Sequence, residues 1–424
     1  RPDSSMVRTA SRPLHPPPDS TMPAMNPKPP HPSEAAQLAE RVRAVLPQIG
    51  ARAAQTERDR MVPAENIALL KEAGLHRVFL PRAYGGYEAP LPVLTHCLMD
   101  IAGACASTAW AFGLMCTHHF MLAHFPKRLQ DEVWLHSPDA TASSSIAPLG
   151  QHEEVDGGIR LSGRFGWSSG CDHTEWAIVG VNRPQADGSK TYCLAVLPRQ
   201  DYTIDDDWDS AGMAGSGSKT LVLDQVFIPD YRIQPIDDML REGKSAGISA
   251  HPDSRLFHAP YRPYFASIFA AIGLGIAQRM LDLFVEKNRN RRHAYNSIAV
   301  GTQHHILQKL GQSAHQIRAA RALMEASWLD HQQHAEAQRY PSQETAVAWR
   351  TDQAYAVNQC AEAVNRLFVA CGASAWPRKN PLQRLFRDMN ITAAHAYTNY
   401  DLCAEAMGRE LMGLAPDPAV APAP

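Results

Sequence analysis

The sequence predicts an α+β protein, mainly α, in which a helical block is followed by a compact β domain and then by a helical bundle. Three observations carry this. Apolar residues recur at helical spacing up to about residue 137, alternate between about 138 and 237, and fall into heptads beyond about 260. Hydrophobic residues are 45% of the chain and charged residues 20%, the balance of a globular protein. The formal net charge of -2 provides no basic field to attract nucleic acid or an anionic membrane.

Residues 1–32 are rich in Pro, Ser and Met and lack an apolar core segment. They are expected to form a disordered lead rather than a secretory signal, and the Ala-Pro run at 415–424 a similar tail. In the first block, residues 33–137, Pro63 opens a helix whose apolar face is marked by Ile67 and Leu70 and whose end is marked by Gly74. The run Pro92–Ile101 continues into Ser107–Phe125, apolar nearly all round, which places that helix in the middle of the protein. No run of about 18 consecutive apolar residues suggests a membrane span.

In the second block, residues 138–237, Ile159 and Leu161, then Phe165 and Trp167, then Trp176 and Ile178 alternate. Gly157-Gly158 and Asp187-Gly188 mark hairpin turns, and Leu221–Ile228 forms a further strand ended by Pro229. A β-barrel or sandwich follows. The third block, 238–414, carries two long helices. One has Val347, Ala354, Ala361 and Phe368 at intervals of seven, and the other is marked by Ile306, Leu310, Ala314, Ile317 and Met324. Such seams build a four-helix bundle, and often an oligomer interface. The stretch Pro235–Tyr264, with Arg262 and Tyr264, reads as a long loop that gates access.

The eight cysteines are scattered with no C-x-x-C pair, which points to free thiols in a cytoplasm. Gly212, Gly215 and Gly217 spell G-x-x-G-x-G, but a strand follows where a dinucleotide site needs a helix N-terminus. His118, His119 and His124 lack the spacing of a metal site, so no metal is expected.

The densest chemical signal is Arg164-Phe-Gly-Trp-Ser-Ser-Gly-Cys-Asp-His-Thr-Glu-Trp176. A Trp beside paired hydroxyls at a strand end suits a flat conjugated ligand, with an indole to stack on and hydroxyls for its edge. The same residues also read as a core Trp before a polar turn. His395, in Asn390-Ile-Thr-Ala-Ala-His395, is by itself a packed or surface histidine. Arg289, Arg291 and Arg292 are by themselves a solvated helix end. His173 suits a structural role beside buried backbone.

Three segments resemble one family: Ser143-Ser-Ser-Ile-Ala-Pro-Leu-Gly150, Trp167-Ser-Ser-Gly-Cys-Asp-His173, and Gly212-Met-Ala-Gly-Ser-Gly-Ser-Lys219 leading to Val226-Phe-Ile-Pro229. Together with the block order they resemble two-component flavin-dependent monooxygenases of the acyl-CoA dehydrogenase fold. That group includes the oxygenase components of p-hydroxyphenylacetate and 3-hydroxy-secosteroid hydroxylases. The resemblance implies an enzyme that takes FMNH2 or FADH2 from a separate NAD(P)H:flavin reductase. The enzyme reacts it with O2 to a C4a-hydroperoxyflavin, and hydroxylates an aromatic or heteroaromatic substrate as a cytoplasmic homotetramer.

The same resemblance places Trp167 against the isoalloxazine, Ser169 at flavin N5, and Ser168 and Ser145 at the ring edge. It places His395 above the reactive carbon as a catalytic residue with Ser169. Trp110 and His118, with Arg262 and Tyr264, line the substrate pocket, and Phe112, Met115 and Phe120 would keep it apolar. Arg292 or Arg291, with Gly372 and Ser374 in Cys371-Gly-Ala-Ser-Ala-Trp376, meet a neighbouring subunit's nucleotide. An FAD-dependent acyl-CoA dehydrogenase is the alternative. It is opposed by the absence of any Glu from Thr392 to Cys403, where Asp401 is the one acid. A third reading is a catalytically silent assembly module.

Overall fold

A computed structural model describes residues 32–240, 244–293 and 295–415. The expected lead and tail lie outside the described residues apart from Pro32 and Ala415. The N-terminal block comprises α1 (Pro32–Ala51), α2 (Ala53–Asp59), α3 (Ala64–Glu72), α4 (Leu91–Ala104), α5 (Ala106–Ala123) and α6 (Lys127–Trp134). Pro63 precedes α3 with φ -57°, and Gly74 takes up φ 86° just past its end, a conformation that costs glycine little. The apolar stretch read as one run is two helices, separated by extended backbone at Cys105 (φ -155°, ψ 106°). Every residue of α5 is buried, as its lack of a polar face requires.

The β domain contains β1 (Ala142–Ser145), β2 (Gln151–Val155), β3 (Gly158–Ser168), β4 (Trp176–Pro184), β5 (Lys190–Pro198), β6 (Thr203–Asp205), β7 (Lys219–Pro229) and β8 (Ile233–Pro235). They form two four-stranded sheets, ordered β1-β4-β5-β8 and β2-β3-β7-β6. The β1–β4 pair is parallel; the other pairs are antiparallel. Ile159, Leu161, Phe165, Val179, Leu197 and Leu221, from both sheets, share one apolar core, so the domain is a sandwich.

The last block comprises α7 (Ile236–Leu240), α8 (Tyr261–Arg289), α9 (His304–Glu336), α10 (Gln343–Ala370), α11 (Pro381–Ala394) and α12 (Tyr400–Leu411). α10 touches α8, α9, α11 and α12, while α8 also packs on α4 and α5. Of the predicted seam, Ala354, Ala361 and Phe368 are buried and Val347 is half-buried; Val357 and Val364, between them on α10, are buried as well. α8 is long and apolar enough to cross a membrane, but 72% of its most apolar window is buried inside the protein. It is the central helix of a packed core.

The long loop expected over Pro235–Tyr264 is corrected here. It holds α7 and two short 3-10 turns, and Arg262 and Tyr264 sit in the first turn of α8. Pro260 stands at the N-cap of α8 with φ -70°, a start that proline tolerates because the first helical N–H groups have no partner.

Burial holds several histidines neutral: the pKa falls to about 4 at His76 and His118 and to about 3 at His124 and His331. In the unfolded chain these groups titrate near 6.5, so the folded state binds fewer protons below that pH. Their contribution is complete above about 6.5 and is lost as pH falls toward 4. Burial raises Asp352 and Asp388 to about 6, with the opposite sign, but these are two groups against five once His395, lowered to about 4, is counted. The melting temperature should therefore drop by roughly 5 °C or more between pH 8 and pH 5. An unchanged Tm over that range would count against neutral burial.

Candidate active site

The site begins with a backbone irregularity. Phe165 pairs with Leu221 and Ser168 with Lys219, so β3 has one more residue than β7 between those pairs. The bulge puts Trp167 at φ 67°, which is unfavourable for a bulky residue and persists where the surroundings enforce it. Trp167 is 72% exposed, while Ser168 next to it is fully buried. The core reading of Trp167 is thereby corrected: its indole stands out from the sandwich and touches Trp208 edge-on, ring centroids 5.2 Å apart. Trp208 is held in turn by its Nε1–H, which donates to Met213 O and Ala214 O.

After the bulge the chain turns through Ser169 and Gly170. Gly170 has φ 69°, and a Cβ there would lie 2.8 Å from Met115 and 3.2 Å from Ala111. The turn is therefore pressed onto α5, and glycine is required. This seats Ser169 against Trp110, whose Nε1–H donates to Ser169 Oγ at 3.1 Å. Ser169 Oγ also lies 2.7 Å from Ser218 Oγ, which lies 2.8 Å from Ser216 Oγ. The serines come from the glycine-rich segment before β7, so its glycines build a docked turn rather than a phosphate cradle. Hydroxyl arithmetic limits what Ser169 can do. Trp110 fills one lone pair. If Ser169 donates to Ser218, one lone pair remains to accept an N–H.

Opposite Ser169, α11 ends at His395. The His395 ring stacks on Phe269 of α8 at 4.2 Å and meets Trp110 edge-on at 5.5 Å. Tyr397 lies parallel to it at 5.9 Å and edge-on to Phe265 at 5.0 Å. Burial alone lowers the His395 pKa to about 4, so the imidazole is neutral at pH 7. The Tyr397 amide donates to His395 Nδ1 at 3.3 Å, which assigns the ring proton to Nε2. Trp110 thus joins the two predicted centres, touching Ser169 with one end and His395 with its ring.

The remaining predicted residues divide. His118 is fully buried; its Nδ1–H donates to Ala142 O at 2.6 Å, and Nε2 has no protein partner among the described residues. Ser145 donates to Gly166 O at 2.6 Å, so its hydroxyl proton serves the strand beside the bulge. The Ser168 hydroxyl is buried, without a partner among the described residues, on the opposite side of β3 from Trp167. Arg262 is half-buried near Tyr192 and Tyr397. Tyr264 packs between Phe79 and Phe120, on the far side of α8 from Phe269. Its predicted place in the pocket is a core position, as is that of Phe120. His173 accepts its structural role, donating to Val62 O at 2.6 Å. His119 is held by the carbonyls of His76 and Ala140.

Arg291 donates to Cys371 O at 2.9 Å, and Ser374 donates to the same carbonyl. Arg292 is exposed and donates to Ser297 O, and Gly372 has φ 68°. This corner lies beyond the C-terminal end of α8, about 30 Å from Phe269 at 1.5 Å per residue.

Residues 32–137 match the acyl-CoA dehydrogenase N-terminal domain model and residues 267–400 the C-terminal domain model. The oxygenase component of p-hydroxyphenylacetate 3-hydroxylase from Acinetobacter baumannii is 56% identical over 90% of this chain and 90% of that protein. The oxygenase component of an FADH(2)-dependent resorcinol hydroxylase from a Rhizobium strain is 32% identical over 92% of this chain and 97% of that one. The crystal structure of a 3-HSA hydroxylase from Rhodococcus sp. RHA1 superposes with a TM-score of 0.85 at 29% identity, covering 91% of this chain and 99% of the other. The chain belongs to the flavin-dependent monooxygenases of the acyl-CoA dehydrogenase fold.

The flavin-dependent monooxygenases of this group are oxygenase components, and the dehydrogenase alternative gives way. Asp401, the one acid between Thr392 and Cys403, is exposed on α12 and offers no base at His395. The residues present fit a reduced flavin: an open indole face at Trp167, an acceptor at Ser169 suited to an N–H, and aromatic walls. Sequence reading did not single out Phe265, Phe269, Tyr397, Trp208, Ser216 or Ser218. Tyr397 stood two residues from His395, and the serines stood within a quoted segment. The two Phe residues were hidden in an apolar helix with no polar face to orient it.

The Trp110–Ser169 bond is testable by a double-mutant cycle. W110F and S169A should each destabilise the protein, with a coupling of about 1 kcal/mol in unfolding free energy. A coupling near zero would remove the bond from the account.

Proposed function

We propose that this chain hydroxylates a phenolic acid, 4-hydroxyphenylacetate or a close analogue, on the ring carbon beside the hydroxyl. The carrying observation is the aromatic cluster of Trp110, Phe265, Phe269 and Tyr397, in which Trp110 donates to Ser169 while Trp110, Phe269 and Tyr397 all meet the His395 ring. The relative that is 56% identical acts, by its name, on p-hydroxyphenylacetate.

The bound reduced flavin supplies activated oxygen; the protein positions the ring, the substrate and the protons. Trp167 stacks on the isoalloxazine. Ser169 accepts the N5–H with its remaining lone pair and so holds that proton, with Trp110 and Ser218 fixing the hydroxyl. His395 donates from Nε2–H to oxygen at the reaction centre while the Tyr397 amide occupies Nδ1. Buried His118 Nε2, an acceptor once Nδ1–H is given to Ala142 O, takes the substrate's phenolic O–H. Arg262, near the Tyr192 and Tyr397 hydroxyls, takes the substrate carboxylate by a charge-assisted contact. The apolar walls exclude water, which strengthens every one of these contacts.

Ring contacts serve FMNH2 and FADH2 alike. The FADH(2)-dependent relative supports FADH2. Arg291 and Arg292, past the end of α8, and Gly372 and Ser374, past the end of α10, form a corner about 30 Å from Phe269 at 1.5 Å per residue, which places them beyond a flavin ring held beside their own subunit's His395. A neighbouring subunit's nucleotide tail would reach them, in a homotetramer. A separate NAD(P)H:flavin reductase supplies the flavin, and the cytoplasm, where such reductants are found, suits the chain's free buried cysteines.

The test is purified protein with reduced flavin from a separate reductase, O2 and 4-hydroxyphenylacetate. A dihydroxyphenylacetate product is expected, and peroxide alone with every phenolic acid tried would sink the reading. R262A should raise KM for 4-hydroxyphenylacetate roughly tenfold or more while sparing uncharged phenols. H395A should lower hydroxylation by on the order of 10²-fold without weakening flavin binding. H395N, which still offers an N–H, should recover much of it, and failure to recover would favour a base at His395. With His395 titrating at about 4, the hydroxylation rate should show no inflection from this group between pH 6 and 8.

A further inference from the structure

The glycine-rich turn that supplies Ser216 and Ser218 is pinned to the helix that carries His395. Met213 holds φ 49°, a strained left-handed conformation for a non-glycine residue. Its N–H donates to Asp388 Oδ1 at 2.7 Å, and its carbonyl accepts from Trp208 Nε1. Next to it, a Cβ on Gly212 would come within 2.4 Å of Arg387 O and 2.7 Å of Ile391, so the turn lies directly on α11. Arg387 adds a hydrogen bond to Ala211 O and pairs with Glu57 of α2. Asp388 is 4% exposed and lies at the floor of a cleft of ≈ 650 Å³ bounded by α1, α4, α8, α9 and α11. From Asp388 two short paths reach the site. One runs through Met213 and Ser216–Ser218 to Ser169, and the other along α11 to His395.

We propose that Asp388 is a positioning residue that holds the Met213 turn in register with α11, and so fixes Ser169 and His395 relative to each other. The inference rests on the oxygenase reading of that site. The carboxylate is the stronger acceptor for the Met213 amide, and protonation weakens the hold. Burial, the largest cause, raises the Asp388 pKa to about 6. The groups facing it are Arg384 and Arg387 on α11, Glu57 on α2 and the Cys105 thiol between α4 and α5. Across the cleft stand Arg43 and Asp100, which pair with each other, and Arg279, Asp282 and Arg321. The switch therefore falls within the range of ordinary assays: the turn is tight above about pH 6 and loosens below it.

The test begins with the flavin-free protein, so it stands apart from the functional reading. Hydrogen exchange of peptides covering residues 208–218, corrected for intrinsic pH dependence, should show protection that declines as pH falls through 6 in the wild type. D388N keeps an acceptor oxygen without a titrating charge and should hold protection level across pH 5–8. D388L should lose it at every pH. With reduced flavin and a phenolic acid, D388L should lower product formed per flavin oxidised and slow hydroxylation by on the order of 10²-fold. D388N, a neutral acceptor like the protonated acid, should recover only the product yield that the wild type shows below pH 6, and should abolish the coupling step near pH 6. Protection in the wild type that ignores pH, or D388L peptides protected like the wild type, would overturn the proposal. If D388L does not fold, the wild-type and D388N exchange profiles decide alone.

Discussion

The active-site architecture depends on the extra residue in β3. A regular strand would send Trp167 and Ser168 to alternating faces with nothing reaching across to α5. The bulge turns the indole outward and aims the chain so that Ser169 and Gly170 meet α5. Everything nearby then has to enforce an unfavourable backbone angle. Gly170 presses on Ala111 and Met115, Ser145 holds the Gly166 carbonyl, and Trp110 holds the Ser169 hydroxyl. One strained residue thus sets where the Trp167 indole face and the Ser169 hydroxyl stand relative to each other.

The other half of the site is governed by desolvation. His395 sits among Trp110, Phe269 and Tyr397 with no carboxylate partner among the described residues, so burial alone determines its charge. A neutral imidazole whose Nδ1 is already occupied by a backbone amide behaves as a fixed donor. That suits a site where water must be kept out, because an unpaired buried cation would draw water in or refuse to form. His118 repeats the logic with the tautomer reversed, giving Nδ1–H to a carbonyl and keeping Nε2 as acceptor. On the proposed reading, two neutral histidines of opposite polarity would offer a phenolic substrate one donor and one acceptor without burying net charge.

The block order was legible because periodicity changes where the architecture changes: heptads in α9 and α10, alternation in β3 to β5, and an all-apolar α5. The break at Cys105 was not, since an apolar helix and an apolar bend share one composition. Trp167, Ser169 and His395 could be named because Trp-Ser-Ser-Gly and the His395 segment resemble a family, whereas the residues alone left each of them ambiguous. That Ser169 and His395 are brought together, through Trp110, is a tertiary fact that no local pattern encodes. Tyr264 shows the converse. It immediately precedes Phe265 in the chain, yet it faces Phe79 and Phe120, and only the helix phase distinguishes it from Phe265 and Phe269. Asp388 was invisible because its partner Met213 is 175 residues away.

α8 finally explains why the predicted flavin contacts separate into two groups. Phe265 and Phe269 near its start face His395 and Tyr397, whereas Arg291 beyond its end is tied to the Cys371 turn. A helix of 29 residues cannot fold back, and at 1.5 Å per residue it holds Phe269 and Arg289 about 30 Å apart. No single flavin on one chain touches both. Either the basic corner is purely structural, completing the end of the bundle through the Cys371 carbonyl, or it serves a nucleotide seated on another copy. The already satisfied Arg291 favours the structural role for that residue. The exposed Arg292, whose side chain bonds the nearby Ser297 carbonyl, is the one with donors to turn toward a neighbour.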